Sequence, residues 1–210
     1  MNATPSLVLG TTNAGKLREL AELLEPLGIA CCSLAGLTNA IDVEETGGSF
    51  AENAALKASQ QATALGRWVL AEDSGLVVDS LEGAPGIYSA RFSGPGATDS
   101  RNNAMLLERL ASRPAAARSA HYACHAALAD PSGRIVAVSN GICSGVIADR
   151  PAGAGGFGYD PLFIVPEYQR TFGELAPAVK AVISHRARAM RAIIPAIRQW
   201  LLPHGQPGGD

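Results

Sequence analysis

Four groups of residues place charged or hydroxylated side chains where they can do chemistry. The first is TTNAGK, Thr11 to Lys16, between the apolar run SLVLG and the helix-like LRELAELLEPLG. Asn13 reads as a helix N-cap, which sets Lys16 in the first turn, beside the positive end of the helix dipole. A cation there costs stability unless an anion joins it. Backbone N–H groups at a helix start together with a lysine make a phosphate site. Gly10, four residues, Gly15 and Lys16 come close to the P-loop, but Leu17 stands where a metal-holding hydroxyl belongs. On this loop alone, P-loop binding and a different phosphate grip both stay open.

Carboxylates form the second group. Glu44 and Glu45 lie in DVEETGGSF, and Glu72 and Asp73 lie in VLAEDSG, at what reads as the end of a strand. Either pair alone reads as solvated acids at a loop edge. Beside a phosphate loop they become candidate Mg²⁺ ligands and a general base, because Mg²⁺ takes one or two carboxylates plus phosphate oxygens. VLAED also imitates the acidic strand of a P-loop enzyme.

The third stretch, Gly153 to Gly158, fits GxGxxG literally, yet Tyr159, Asp160 and Pro161 follow it where a dinucleotide fold needs a helix. A glycine-dense loop carrying Phe157, Tyr159 and Asp160 suits a flat ligand, with a ring to stack and a carboxylate to accept. A hairpin-closing loop around a buried aromatic is the alternative. The fourth is Ser184-His185-Arg186, with Lys180 just upstream: donors gathered at a helix start, able to meet phosphate or a carbonyl. His121 and His125 are spaced as zinc ligands on a helix. On a strand they stand roughly 13 Å apart, too far for one metal, and read as surface histidines.

The elements that must carry these residues follow from pattern. SLVLGT and IACCSL read as strands. Leu17, Leu20, Leu24 and Leu27 recur at helical spacing until Gly28. Ser49 and Glu52 form a capping box for a helix reaching Gly66. RWVLAE and LVVD read as strand, and Thr98 caps a helix that stops before Pro114. RSAHYACHAALAD and RIVAVSNGICSGVIAD flank the turn at Asp130 as a long hairpin. PLFIVP is a last strand, and VKAVISHRARAMRAIIPAIRQWL a final amphipathic helix opened at Ser184. Strands alternating with helices predict a parallel core, and the hairpin extends it. The fold class is therefore mixed α/β, as one unit over residues 1–203 with a flexible tail over 204–210.

Composition bounds the partners. The 210 residues carry a formal net charge of −2, which leaves no broad basic face for a nucleic-acid polymer. The longest apolar runs are too short to span a bilayer, and the start of the chain lacks the order of a signal peptide. Four cysteines without a CxxC pair read as reduced thiols, which implies the cytoplasm.

Taken in order and spacing, TTNAGK, EETGGSFAENAALKA, AEDSGLVVDSLEGAPGIYSARFSG, GGFGYDPLF and ISHRARA resemble the inosine triphosphate pyrophosphatase (HAM1-like) family. The resemblance runs from Leu9 to about Leu201. It implies a long twisted central sheet with two lobes and the active site in the cleft between them. It implies hydrolysis of ITP, dITP and XTP to the monophosphate and pyrophosphate, with Mg²⁺, by a homodimer. By motif, Thr11, Thr12, Asn13, Ala14, Gly15 and Lys16 would bind phosphates, and Glu44 and Asp73 would bind Mg²⁺, with Asp73 also the proton acceptor. Ser74, Phe157, Gly158, Tyr159, Asp160, Lys180, His185 and Arg186 would complete the nucleotide site, and Lys57 would add a phosphate contact. Two departures stand out: Glu72-Asp73 where the family often has two aspartates, and APAVK ahead of Lys180 where relatives commonly carry a threonine and two glutamates. A divergent P-loop enzyme and a nucleotide-sensing module without turnover are the rival readings.

Overall fold

The computed structural model of the chain describes residues 6–202, so the tail expected at 204–210 lies outside the described residues. β1 (Ser6–Leu9) is followed by α1 (Ala14–Leu24), which starts where Asn13 accepts the Lys16 backbone N–H at 3.0 Å. β2 (Ala30–Ser33) pairs in parallel with β1. Its neighbours Cys31 and Cys32 pack against different apolar clusters, as alternation on a strand requires. α2 (Phe50–Leu65) is capped by Ser49, while the Glu52 carboxylate reaches back to the Gly48 N–H at 2.7 Å. β3 (Val69–Val78) and α3 (Asp99–Leu110, capped by Thr98) follow. β4 (Ser119–Ala129) and β5 (Ile135–Ile147) form the expected hairpin, pairing from Ser119↔Val146 to Ala129↔Ile135.

Beyond them lie β6 (Phe163–Val165) and β7 (Arg170–Thr171), the latter a two-residue strand too short to leave a sequence pattern. The final helical stretch divides into α4 (Pro177–Ile183) and α5 (His185–Leu201). Ser184 is the break: its backbone is extended (ψ 157°) and its side chain caps the new helix at the Ala187 N–H.

The seven strands run in the order β2-β1-β3-β4-β5-β6-β7, parallel at β2-β1-β3 and antiparallel from there on. One face of the β1–β3 region buries Leu7, Leu9 and Leu70 under α1 and α5, and the other buries Val8, Val69 and Ala71 under the alanines of α2. A third cluster, with Leu76, Tyr122, Phe163 and Phe172, fills the far end of the sheet beneath α3. Among the described residues, no helix is long and apolar enough to cross a membrane.

One offset positions the site. β1 pairs with β3 only at Val8↔Val69 and Leu9↔Leu70, whereas β4 pairs with β3 along its whole length. β3 therefore runs on after β1 stops, and its next contact on that edge is the Leu76 N–H donating to Ser89 Oγ at 2.9 Å. The sequence pattern placed Glu72 and Asp73 at a strand's end. They sit instead in the middle of β3, because β4 supports the strand past them. The end that matters is that of β1, where the chain turns into the Thr11–Lys16 loop.

Candidate active site

Consecutive residues on a strand face opposite ways, so Glu72 and Asp73 look into different surroundings. Glu72 is 1% exposed on the α1/α5 side. Arg186 Nε and Nη2 reach its Oε1 at 3.1 and 3.0 Å, and Lys16 Nζ lies 3.4 Å from the same oxygen. Burial alone would push this carboxyl up, but Arg186, then Lys16 and Lys57, outweigh it and hold the group well below the carboxylate range. A carboxylate so engaged is a structural anion.

Asp73 faces α2. Lys57 Nζ is 3.0 Å from its Oδ1, and the fully buried Asn53 amide donates to its Oδ2 at 3.3 Å. The same lysine lies 2.6 Å from Glu45, which Arg91 also approaches at 3.4 Å. Burial works against the Lys57 ammonium, yet Asp73 and Glu45 raise it above the ordinary lysine value, and the lysine in turn lowers Glu45 against its own burial. Glu44 is exposed, and its side chain has no ion pair or hydrogen bond among the described residues. Of the two loop acids, the fold therefore brings Glu45 to Asp73, whereas the resemblance implied Glu44. No group of three or more His, Cys, Asp or Glu side chains is gathered for a metal among the described residues. What the site offers is an oxygen-only pair that already holds one cation.

α2 arranges this side through a polar stripe on its buried face. Asn53, Lys57 and Gln61 are spaced at i, i+4 and i+8, among Ala54, Ala58 and Ala62. Asn53 Oδ1 accepts the Gly47 N–H at 2.8 Å, Lys57 holds Glu45, and the Gln61 side chain bonds both backbone groups of Ile41. The stripe thus fastens the acidic loop against β3. The sequence carries that signal, polar residues at helical spacing on an alanine face, whereas Lys57 entered through the resemblance alone.

The other side of the open β3 edge is a hollow lined by Lys16, Ser74, Phe157, Tyr159, Lys180 and Arg186, among others. Arg186 is 1% exposed and heavily used: Nη1 pairs with Glu19, and Nη2 donates to Ser74 Oγ at 2.9 Å besides its contact with Glu72. Its guanidinium lies 5.6 Å from the Phe157 ring centre, and Lys180 Nζ lies 4.8 Å from it. Lys180 pairs with Asp160 and, at 2.8 Å, with Glu19. Burial raises Asp160 above the usual carboxylate value despite Lys180. Glu19, unforeseen from sequence, sits one turn after Lys16 on α1 and joins the two cations.

His185, the first residue of α5, stacks on Tyr122 with ring centres 4.6 Å apart. Burial first, then Arg186, Lys180 and Lys16, push its imidazole well below the usual histidine value, so the ring is neutral. Its Nδ1 is buried without a hydrogen-bond partner among the described residues. Thr11, Thr12 and Asn13 line a second hollow with Glu45 and Lys57, and Asn13 belongs to both. The two hollows thus meet over the end of β1. Gly15 lies against Phe157: a Cβ there would come within 2.7 Å of the ring. Leu17 packs against the core, so the position after Lys16 offers nothing to a metal. His121 and His125 occupy the same face of β4, and His125 stacks on Phe50 away from both hollows.

Residues 7–196 match the model of the Ham1 family. A protein of Rhodopirellula baltica named dITP/XTP pyrophosphatase is 52% identical over 197 residues, which is 94% of this chain and 95% of that protein. One of the same name from a Synechocystis strain is 46% identical, over 93% and 95%. Among solved structures, a HAM1 protein from Coxiella burnetii superposes with a TM-score of 0.84 at 38% identity, covering 93% of this chain and 99% of that one. A nucleoside-triphosphatase / dITP/XTP pyrophosphatase from Mycobacterium abscessus gives 0.73 at 40% identity, over 92% and 100%.

Proposed function

The chain belongs to the Ham1 family, and on that premise we propose that it hydrolyses the non-canonical purine nucleoside triphosphates ITP, dITP and XTP to monophosphate and pyrophosphate. The observation that carries the reading is the meeting of two unlike hollows over the end of β1: one with the Thr11–Asn13 loop, Lys57, Asp42 and Glu45, the other with aromatics, Lys16 and buried cations. The first suits a triphosphate and the second a base.

Thr11 to Lys16 hold the phosphates through the unpaired N–H groups of the first turn of α1 and the Lys16 ammonium, with Lys57 opposite. Asp73 takes the proton of a water that attacks the α-phosphorus in line. As the new P–O bond forms, the bond to the bridging oxygen breaks and pyrophosphate leaves. The donors fit a hard divalent ion, since Lys57 Nζ already lies between Asp73 and Glu45. Mg²⁺ bound there would neutralise the leaving pyrophosphate. Glu44, one residue earlier, would reach such an ion only if the loop turned.

Purine choice falls to the second hollow. Hypoxanthine and xanthine accept at O6 where adenine donates, and the polar groups least committed elsewhere are the third N–H of Lys180 and the neutral His185 ring. Arg186 serves as the wall that positions Ser74 and Glu72. The reading extends to one two-lobed unit, acting as a homodimer in the cytoplasm, where four unpaired thiols are at home. Product analysis after incubation with ITP and Mg²⁺ tests it: inosine monophosphate and pyrophosphate are expected, diphosphate and free phosphate would mark a P-loop-type reaction, and binding without turnover would mark a sensor. ATP should be at least on the order of 100-fold poorer in kcat/KM.

A further inference from the structure

We propose that Asp99 and Asn103 of α3 are positioning residues that grip the two peptide groups flanking one residue, Gly158, and so set where the Phe157 ring stands. The proposal rests on the reading of that hollow as the base site. Gly158 has a φ of +62°, and both of its backbone polar groups are taken by α3. Its N–H donates to Asp99 Oδ2 at 2.6 Å, and its carbonyl accepts from Asn103 Nδ2 at 3.0 Å. The Asn103 orientation is dictated by that carbonyl, since a flipped amide would set two oxygens against each other. It leaves Oδ1 buried without a partner among the described residues.

The next residue on the same helix fastens the opposite wall. Asn102 is 3% exposed; its Nδ2 donates to the carbonyls of Ser89 and Ala90, and its Oδ1 accepts from Ser93. Tyr159 closes the frame by donating to the Ser89 carbonyl at 2.8 Å. One turn of α3 therefore fixes both the Phe157–Tyr159 wall and the Ser89–Ala90 wall of the hollow, so this helix sets the width of the slot. None of these contacts reaches Lys16, Lys57 or Asp73. Loosening the grip should weaken the hold on the nucleoside and leave the phosphate grip alone.

Equilibrium binding of two probes separates the parts: inosine monophosphate, which needs the slot, and inorganic tripolyphosphate, which does not. A hydrogen bond to a charged acceptor is lost in Asp99→Ala, so inosine monophosphate should bind about tenfold more weakly and tripolyphosphate within about twofold of wild type. Asp99→Asn keeps an acceptor oxygen and should recover binding to within about threefold. Asp99 itself borders the hollow and Asn103 does not, so Asn103→Leu is the decisive variant: it should repeat the Asp99→Ala pattern, and unchanged binding of inosine monophosphate by it would leave Asp99 a direct contact and overturn the grip. Unchanged binding of inosine monophosphate by Asp99→Ala, or equal weakening of both probes, overturns the proposal. A wild type that binds tripolyphosphate but not the monophosphate overturns the nucleotide reading itself, and the grip with it.

Discussion

Two neighbouring carboxylates on β3 are expected to fail in different ways when neutralised. Asp73→Asn can keep the Asn53 contact with its one oxygen but gives up the acceptor and the charge facing Lys57, which retains Glu45. The fold should survive, while kcat for ITP falls roughly 10²–10⁴-fold, as loss of a general base does. A thermal melt beside steady-state kinetics checks both halves, and retention of more than about a tenth of kcat would refute the assignment. Glu72→Gln leaves the buried Arg186 with Glu19 as its one remaining anion and should lower stability by about 2–3 kcal/mol, a melting shift of roughly 5–10 °C for a chain this long. An unchanged melt would mean that the Arg186–Glu72 pair holds little. Sequence could name both acids but could not divide their roles, because the division depends on which packed layer lies over each face. Glu45 escaped choice for a similar reason: nothing in DVEETGG says which of two adjacent acids α2 will catch. Glu19 was hidden because an acid on an amphipathic helix looks solvated until a buried arginine from 167 residues away arrives beside it.

Among the elements, α1 begins where it must both cap itself and admit an aromatic ring. Gly15→Ala should suit the helix, since alanine loses less backbone freedom than glycine on taking up helical angles. The added methyl would nevertheless drive into the Phe157 ring, 2.7 Å away. The expected outcome is a KM for ITP raised several-fold with a melting temperature that does not fall; a KM left unchanged would show that the ring does not serve the base. The helices and the long hairpin were legible because periodicity, caps and turn residues agree at each of them. The extent of β3 was not, since DSG reads as a turn. Ten residues of pairing with β4, including Asp73↔His125 and Gly75↔Ala123, keep it extended.

Across the whole molecule, the buried neutral His185 links stability to acidity. Its value lies below the ordinary 6.5, so the unfolded chain binds a proton that the folded chain refuses. Stability should therefore fall as pH drops through 6.5, by up to about 1.4 kcal/mol per pH unit, before the unfolded carboxylates begin to titrate. Urea midpoints at pH 7.5 and 5.5 for wild type and His185→Gln would show it, and equal pH slopes in the two proteins would exclude it. Glu72 adds the same sign lower down, its contribution complete above 4.5 and lost as acid protonates it.

The offset between β1 and β3 also bears on how the cleft can move. The apolar clusters on either side of it are joined by β3, β4 and β5, which cross without interruption at the row Gly75↔Ala123↔Ile142. A swivel would need a loop at that level, and three hydrogen-bonded strands stand there instead. The two clusters should therefore approach by a shared change in twist spread along the strands rather than about a hinge. Amplitude should then be small, and compliance set by how many rungs flex together.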